Sequence, residues 1–120
     1  MIDTIKELAR TVYRTLGSGF SERVYHNAME VLLRKEGIPY ETERIVPIEF
    51  YGHTIGNMRA DLIVAKTLVV ELKATKALNA VMTTQAHKYL ELLDLPQALL
   101  VNFPQPVGED CEIAVVVRDI

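Results

Sequence analysis

Apolar residues recur along this chain in two rhythms, and the rhythm changes three times. From Ile2 to Leu16, Ile5, Leu8, Ala9, Val12 and Leu16 fall at helical spacing and predict a first helix, which Gly17-Ser18-Gly19 stops. A second helix is expected from about residue 20 or 21 to Glu36. Ser18 or Ser21 is placed to cap it, Gly37 sits at the C′ position, and Val24, Ala28, Val31 and Leu32 form the expected apolar stripe. Beyond Pro39 the period shortens to two. Arg44 to Tyr51 alternates, Tyr51-Gly52-His53 reads as a hairpin turn, and a partner strand follows from about Thr54 to Val64. Ala65-Lys66-Thr67 turns the chain into Leu68 to Ala74, apolar enough to predict a central strand. A third helix is expected over about Asn79 to Leu93, with Pro96 beyond its end, and two last strands at Ala98 to Asn102 and Glu112 to Val117. The expected order is ααβββαββ, a mixed sheet with helices packed on it.

Composition narrows this picture. A chain of 120 residues that is 49% hydrophobic predicts one folded domain spanning 1–120. No apolar run reaches the roughly 20 residues that cross a bilayer, and Met1 to Arg10 lacks a signal-peptide core, so no membrane partner is expected. The single cysteine, Cys111, excludes an internal disulfide, reads as a small buried hydrophobe and fits a cytoplasmic location. A net charge of −3 argues against nucleic-acid binding by bulk charge. It leaves room for a local basic rim, for which Arg10, Arg14, Arg23, Arg59, Lys76 and Lys88 are candidates.

The chemistry concentrates in Val70-Glu71-Leu72-Lys73. Alternate strand residues share a face, so Glu71 and Lys73 point one way and Val70 and Leu72 the other. Asp61 lies ten residues upstream, where a hairpin brings it beside Glu71. Two carboxylates and a lysine suit metal-assisted phosphodiester hydrolysis, because Mg²⁺ takes hard oxygen ligands. A lysine beside the ion can orient water and offset developing charge. On its own the trio also suits a buried ion pair. Glu22 and Tyr25 stand three apart at the start of helix two, and Gln85 and Tyr89 stand at i and i+4 on helix three. His26, His53 and His87 have no zinc-ligand spacing, although His26 follows Glu22 by one turn.

Taken in order, these motifs resemble a known family. Gly19-Phe20-Ser21-Glu22-Arg23-Val24-Tyr25, Arg59-Ala60-Asp61, Val70-Glu71-Leu72-Lys73-Ala74, Gln85 to Leu90 and Leu100 to Phe103 look like the GxxExxY proteins of the PD-(D/E)XK nuclease superfamily. The resemblance implies a restriction-endonuclease-like core and a Mg²⁺- or Mn²⁺-dependent nuclease acting on nucleic acid, with DNA preferred over RNA. It implies that Asp61 and Glu71 bind the metal, that Lys73 is the catalytic lysine, and that Glu22 supports the ion from its helix. Gln85 and Tyr89 match the Q-x-x-x-Y element of the RecB and lambda-exonuclease-like branch. Ala60 stands where the signature has proline. Two rival readings remain: an inactive nuclease-fold module that binds nucleic acid or a partner protein, and an α/β domain whose charges are structural. A domain this small is also expected to work as a homodimer or beside a partner.

Overall fold

The structure is a computed structural model and describes residues 1–118. Its elements are α1 (Ile2–Leu16), α2 (Glu22–Lys35), β1 (Tyr40–Phe50), β2 (His53–Val64), β3 (Leu68–Lys73), α3 (Ala80–Leu93), β4 (Gln97–Asn102) and β5 (Glu112–Val117). The order is ααβββαββ, as the hydrophobic rhythm predicts. The five strands form one sheet in the order β1-β2-β3-β4-β5. All neighbours are antiparallel except β3 and β4, the pair joined through α3. A parallel pair needs such a crossover, whereas the other connections are turns or loops.

The strand alternation divides the apolar residues between two cores. Leu62, Val64, Val70, Leu72, Leu99 and Val101 pack against α1 and α2, with Phe103. Ala60, Ile63, Val69, Ala98 and Leu100 pack against α3 through Ala86, Tyr89 and Leu90. β3 lies between these layers and is buried along almost its whole length. A strand covered on both faces has no solvent side on which to place charge cheaply, which makes Glu71 and Lys73 conspicuous.

Several local expectations change. β1 begins at Tyr40, four residues before the expected start, because Glu41, Thr42 and Arg44 find backbone partners on β2 despite their polarity. Ser21 is the N-cap of α2, yet its side chain makes no capping bond. The buried face of α2 is Tyr25, His26, Met29 and Leu33, whereas Val24 and Val31 are exposed. The stripe is therefore rotated by about one residue, since the aromatic ring of Tyr25 buries more area than the small side chain of Val24. Gly37, with φ of 68°, does close α2, and the Ile38 N–H reaches back to the Leu33 carbonyl at 3.0 Å. Among the described residues no helix is long and apolar enough to cross a membrane.

Candidate active site

The β2–β3 ladder runs from Val64↔Leu68 to Leu62↔Val70 and stops there. The next pair in that register would be Asp61 with Glu71. Side chains replace the ladder at this point. Asp61 Oδ2 accepts the Leu72 N–H at 2.8 Å, and Glu71 Oε1 lies 3.4 Å from the Asp61 N–H. The β1 side opens too: bridges join Thr42 to Leu62 and Arg44 to Ala60 but skip Glu43, which takes a left-handed φ of 54°. Asp61 thus sits where strand pairing is interrupted on both flanks. Its carboxylate is in place to take a backbone N–H that a continuous ladder would have used.

Both carboxyl groups are buried, with 9% exposure for Asp61 and 3% for Glu71. Burial first, and the adjacent Asp61 charge second, push the Glu71 pKa up to about 9. Lys73 opposes this only weakly. At neutral pH, without a cation, Glu71 therefore holds a proton. A divalent ion can take that proton's place, because two hard carboxylate donors meet in one spot with too little positive charge nearby to balance them. The donor set fits Mg²⁺ or Mn²⁺.

Lys73, half-buried, ends β3 and is fixed through its backbone. Its carbonyl accepts from Phe103 N at 2.8 Å. The chain just beyond it is gripped by Asn102, which is fully buried at the end of β4. Asn102 Oδ1 accepts from Thr75 N and Nδ2 donates to Thr75 O, both at 3.0 Å. Glu22 opens the first turn of α2 and is exposed at the mouth of a cavity of about 190 Å³ lined by Glu22, Arg23, His26, Arg59 and Asp61. Partial burial, then the Asp61 charge, raise its pKa, while Lys73, His26 and Arg59 pull it down. Among the described residues no three His, Cys, Asp or Glu side chains close into one metal-holding group, so Glu22 stands apart from the Asp61–Glu71 pair.

Tyr89 is buried behind the carboxylates, and its hydroxyl donates to the Arg59 carbonyl at 2.6 Å. Burial, followed by the charges of Glu71 and Asp61, pushes its pKa up to about 12, so it stays a neutral donor that holds β2 two residues before Asp61. Gln85 is exposed one turn earlier on α3, beside Ala80, Val81 and Thr84, and makes no side-chain hydrogen bond among the described residues. The structure thus gathers Asp61, Glu71, Lys73 and Tyr89, sets Glu22 across a cavity, and leaves Gln85 outside.

Two contributors have tasks that sequence reasoning did not assign. His26, 4% exposed, lines the cavity with Nε2 2.8 Å from Thr42 Oγ1 and 3.0 Å from Glu30 Oε2. Its place one turn after Glu22 was its sequence signal, to which the i,i+4 spacing to Glu30 adds a second. Asn102 had a weaker one, an amide amid the apolar run from Ala98 to Phe103. Of the basic-rim candidates, Arg59 and Arg23 border the cavity, with Arg23 paired to Glu43. Arg10, Arg14 and Lys88 pair elsewhere, with Glu7, Asp110 and Glu91. Cys111 precedes β5 half-buried rather than buried, and burial and Asp110 push its thiol up to about 11, so it is a poor nucleophile.

A solved structure shares this fold. The solved structure titled "Crystal structure of SSO0001" superposes with a TM-score of 0.61 at 21% identity, covering 82% of this chain and 50% of that one. The chain thus spans half the length of that relative. An alkaline exonuclease (LHK-Exo) from Laribacter hongkongensis overlaps at a TM-score of 0.49 and 12% identity, covering 94% of this chain and 68% of its own. Its complex with dAMP overlaps at 0.49 and 13%, with the same coverage. No curated protein matches in sequence. The family profile of the PD-(D/E)XK nuclease superfamily matches residues 1–113. With its mixed five-stranded sheet, flanking helices and restriction-endonuclease-like order, the chain belongs to the PD-(D/E)XK nuclease superfamily.

Proposed function

We propose that this chain is a divalent-metal-dependent nuclease of the GxxExxY type that hydrolyses phosphodiester bonds, in DNA rather than RNA. One observation carries the reading: the buried Asp61 and Glu71 carboxyl groups meet where the β2–β3 ladder opens, with Lys73 two residues further on. Asp61 and Glu71 would hold Mg²⁺ or Mn²⁺, and Glu22 would reach the ion directly or through water. When bound, such an ion polarises the scissile phosphate and acidifies an attacking water. Lys73 orients that water and offsets negative charge developing on the phosphate. Water gives up a proton as its oxygen bonds to phosphorus, the P–O bond to the leaving sugar oxygen breaks, and that oxygen takes up a proton, so one water is consumed for each bond cut. Tyr89 keeps β2 in place through the Arg59 carbonyl, and Gln85 is reachable by substrate on the outer face of α3. Arg59 supplies local positive charge that a net charge of −3 does not, while Arg23 at the same cavity is paired with Glu43. One nuclease domain over 1–120, a cytoplasmic location and action as a homodimer or beside a partner protein complete the reading.

The test is a cleavage screen with Mn²⁺ over single-stranded, duplex, flap and branched DNA and over RNA, comparing wild type with Asp61→Asn. Metal-dependent products from wild type alone are expected. Nucleic-acid binding with no cleavage of any substrate would replace the enzyme by a binding module.

A further inference from the structure

The signature tyrosine does not join the carboxylates. Tyr25 is fully buried, and its ring stacks on Phe103 with centroids 4.4 Å apart and planes 7° from parallel. Its hydroxyl is a hub. It donates to the Gly17 carbonyl at 2.7 Å, accepts from Gln105 Nε2 at 3.0 Å, and lies 3.4 Å from the Phe20 N–H. Gln105 completes the ring of contacts: its Oε1 accepts the Gly19 N–H at 2.8 Å. Two side chains thereby hold three backbone groups of the turn that leads into α2. Gly17 and Gly19 have φ values of 71° and 108°, a region that L side chains rarely adopt, and these conformations are part of the turn being held. The N-cap residue Ser21 contributes no side-chain capping bond, so this end of α2 lacks the usual local anchor.

We infer that Tyr25 and Gln105 are positioning residues, which brace the Gly17–Ser21 turn and so set the first turn of α2 where Glu22 faces Asp61 across the cavity. The inference rests on the nuclease reading and deepens it. It gives the three signature positions separate tasks: Gly19 allows the turn, Tyr25 holds it, and Glu22 uses it. It also adds Gln105, 80 residues away in sequence from Tyr25, which no motif marks.

A tyrosine that merely fills the core would act through its ring, so ring and hydroxyl must be separated. Tyr25→Phe keeps the stack on Phe103 and deletes the hub. Gln105→Leu deletes the second link without touching the ring. Tyr13→Phe is the matched control, because Tyr13 donates to the Pro104 carbonyl at 2.8 Å from the same aromatic wall. The experiment measures kcat and KM for DNA cleavage with Mn²⁺, and amide hydrogen exchange at residues 19–22 in the metal-free protein. Tyr25→Phe and Gln105→Leu are each expected to lower kcat about tenfold with KM little changed, as misplacement of a reacting group does. Exchange at Gly19 to Glu22 should accelerate in both, and Tyr13→Phe should leave both readouts near wild type. In a Glu22→Gln background, adding Tyr25→Phe should cost nothing more, since the brace acts through Glu22. An effect of Tyr25→Phe no larger than that of Tyr13→Phe, or an undiminished effect without Glu22, would overturn the inference. If wild type cuts no substrate, the nuclease reading falls by itself, and exchange decides the brace: acceleration supports it and unchanged rates sink it.

Discussion

Lys73 is the residue that separates catalysis from binding. Lys73→Met keeps the length and the apolar stem and removes the charge. Losing a transition-state contact of about 3–4 kcal/mol should slow cleavage about 10²–10³-fold, whereas Mn²⁺ affinity should fall little because the amine is not a ligand. Asp61→Asn should lose both together, and equal cleavage by wild type and Lys73→Met would remove Lys73 from the mechanism. Glu71 makes a second prediction through its proton. Its pKa rises from an ordinary 4.5 to about 9 on folding, so the folded state binds the proton more tightly than the unfolded chain does. The associated stability is fully present below about pH 4.5 and is lost as the pH climbs toward 9. In chelator, the stability of wild type should decline across that window, and Glu71→Gln should flatten that part of the slope. Parallel pH profiles for the two proteins would show that another group titrates.

At the scale of elements, α2 illustrates how packing overrides a periodicity count. Val24 and Val31 fit a helical stripe with Ala28 and Leu32, yet the helix turns Met29 and Leu33 inward. Met29→Ala should therefore cost about 2–5 kcal/mol, while Val31→Ala, at a position 53% exposed, should stay within about 0.5 kcal/mol. Denaturant midpoints of the two variants decide between the stripes, and the reverse ranking would restore the one read from spacing. β3 and β4 show a different coupling. Their parallel register sets Lys73 against Asn102, and the buried amide brackets Thr75 just past the lysine. Replacing Asn102 by Leu leaves the Thr75 N–H and C=O without these partners. It is expected to cost about 1–3 kcal/mol of stability and to reduce cleavage, read from melts and initial rates on the same preparation.

For the molecule as a whole, the metal is the strongest lever. Two buried carboxyl groups side by side, the Glu71 pKa raised by burial and by Asp61, become a favourable site once a cation is present, so the ion should stabilise the native state by mass action. At a hundredfold excess over the dissociation constant this amounts to about 2.7 kcal/mol. For a domain of this size that is a rise in Tm on the order of 10 °C. Differential scanning fluorimetry with millimolar Mg²⁺ and Mn²⁺ should record the shift in wild type and not in Asp61→Ala. An unmoved Tm in wild type would count against a metal site between Asp61 and Glu71. The shift should shrink as the pH falls, because metal must displace the proton on Glu71.

The sequence by itself determined the element order, the central position of β3 and the identity of the paired acids. Each of these follows from a local rule: a period of 3.6 or 2, a glycine at a helix end, or two charges on a strand otherwise apolar. Gly37 closing α2 and Glu71 set apart from Val70 and Leu72 were legible for that reason. Only the tertiary structure decided how the site is built. The stop in the ladder at Asp61 depends on three strands at once, and the turn of Tyr25 into the core depends on Phe103 from beyond β4. The bracket at Asn102 and the link from Gln105 join residues 27 and 86 positions apart to their backbone partners, Thr75 and Gly19. Periodicity reports which face of an element is apolar, but a hydrogen bond between distant segments leaves no period. The task of holding another segment in place, at Tyr25, Tyr89, Asn102 and Gln105, therefore became visible only once the chain was folded.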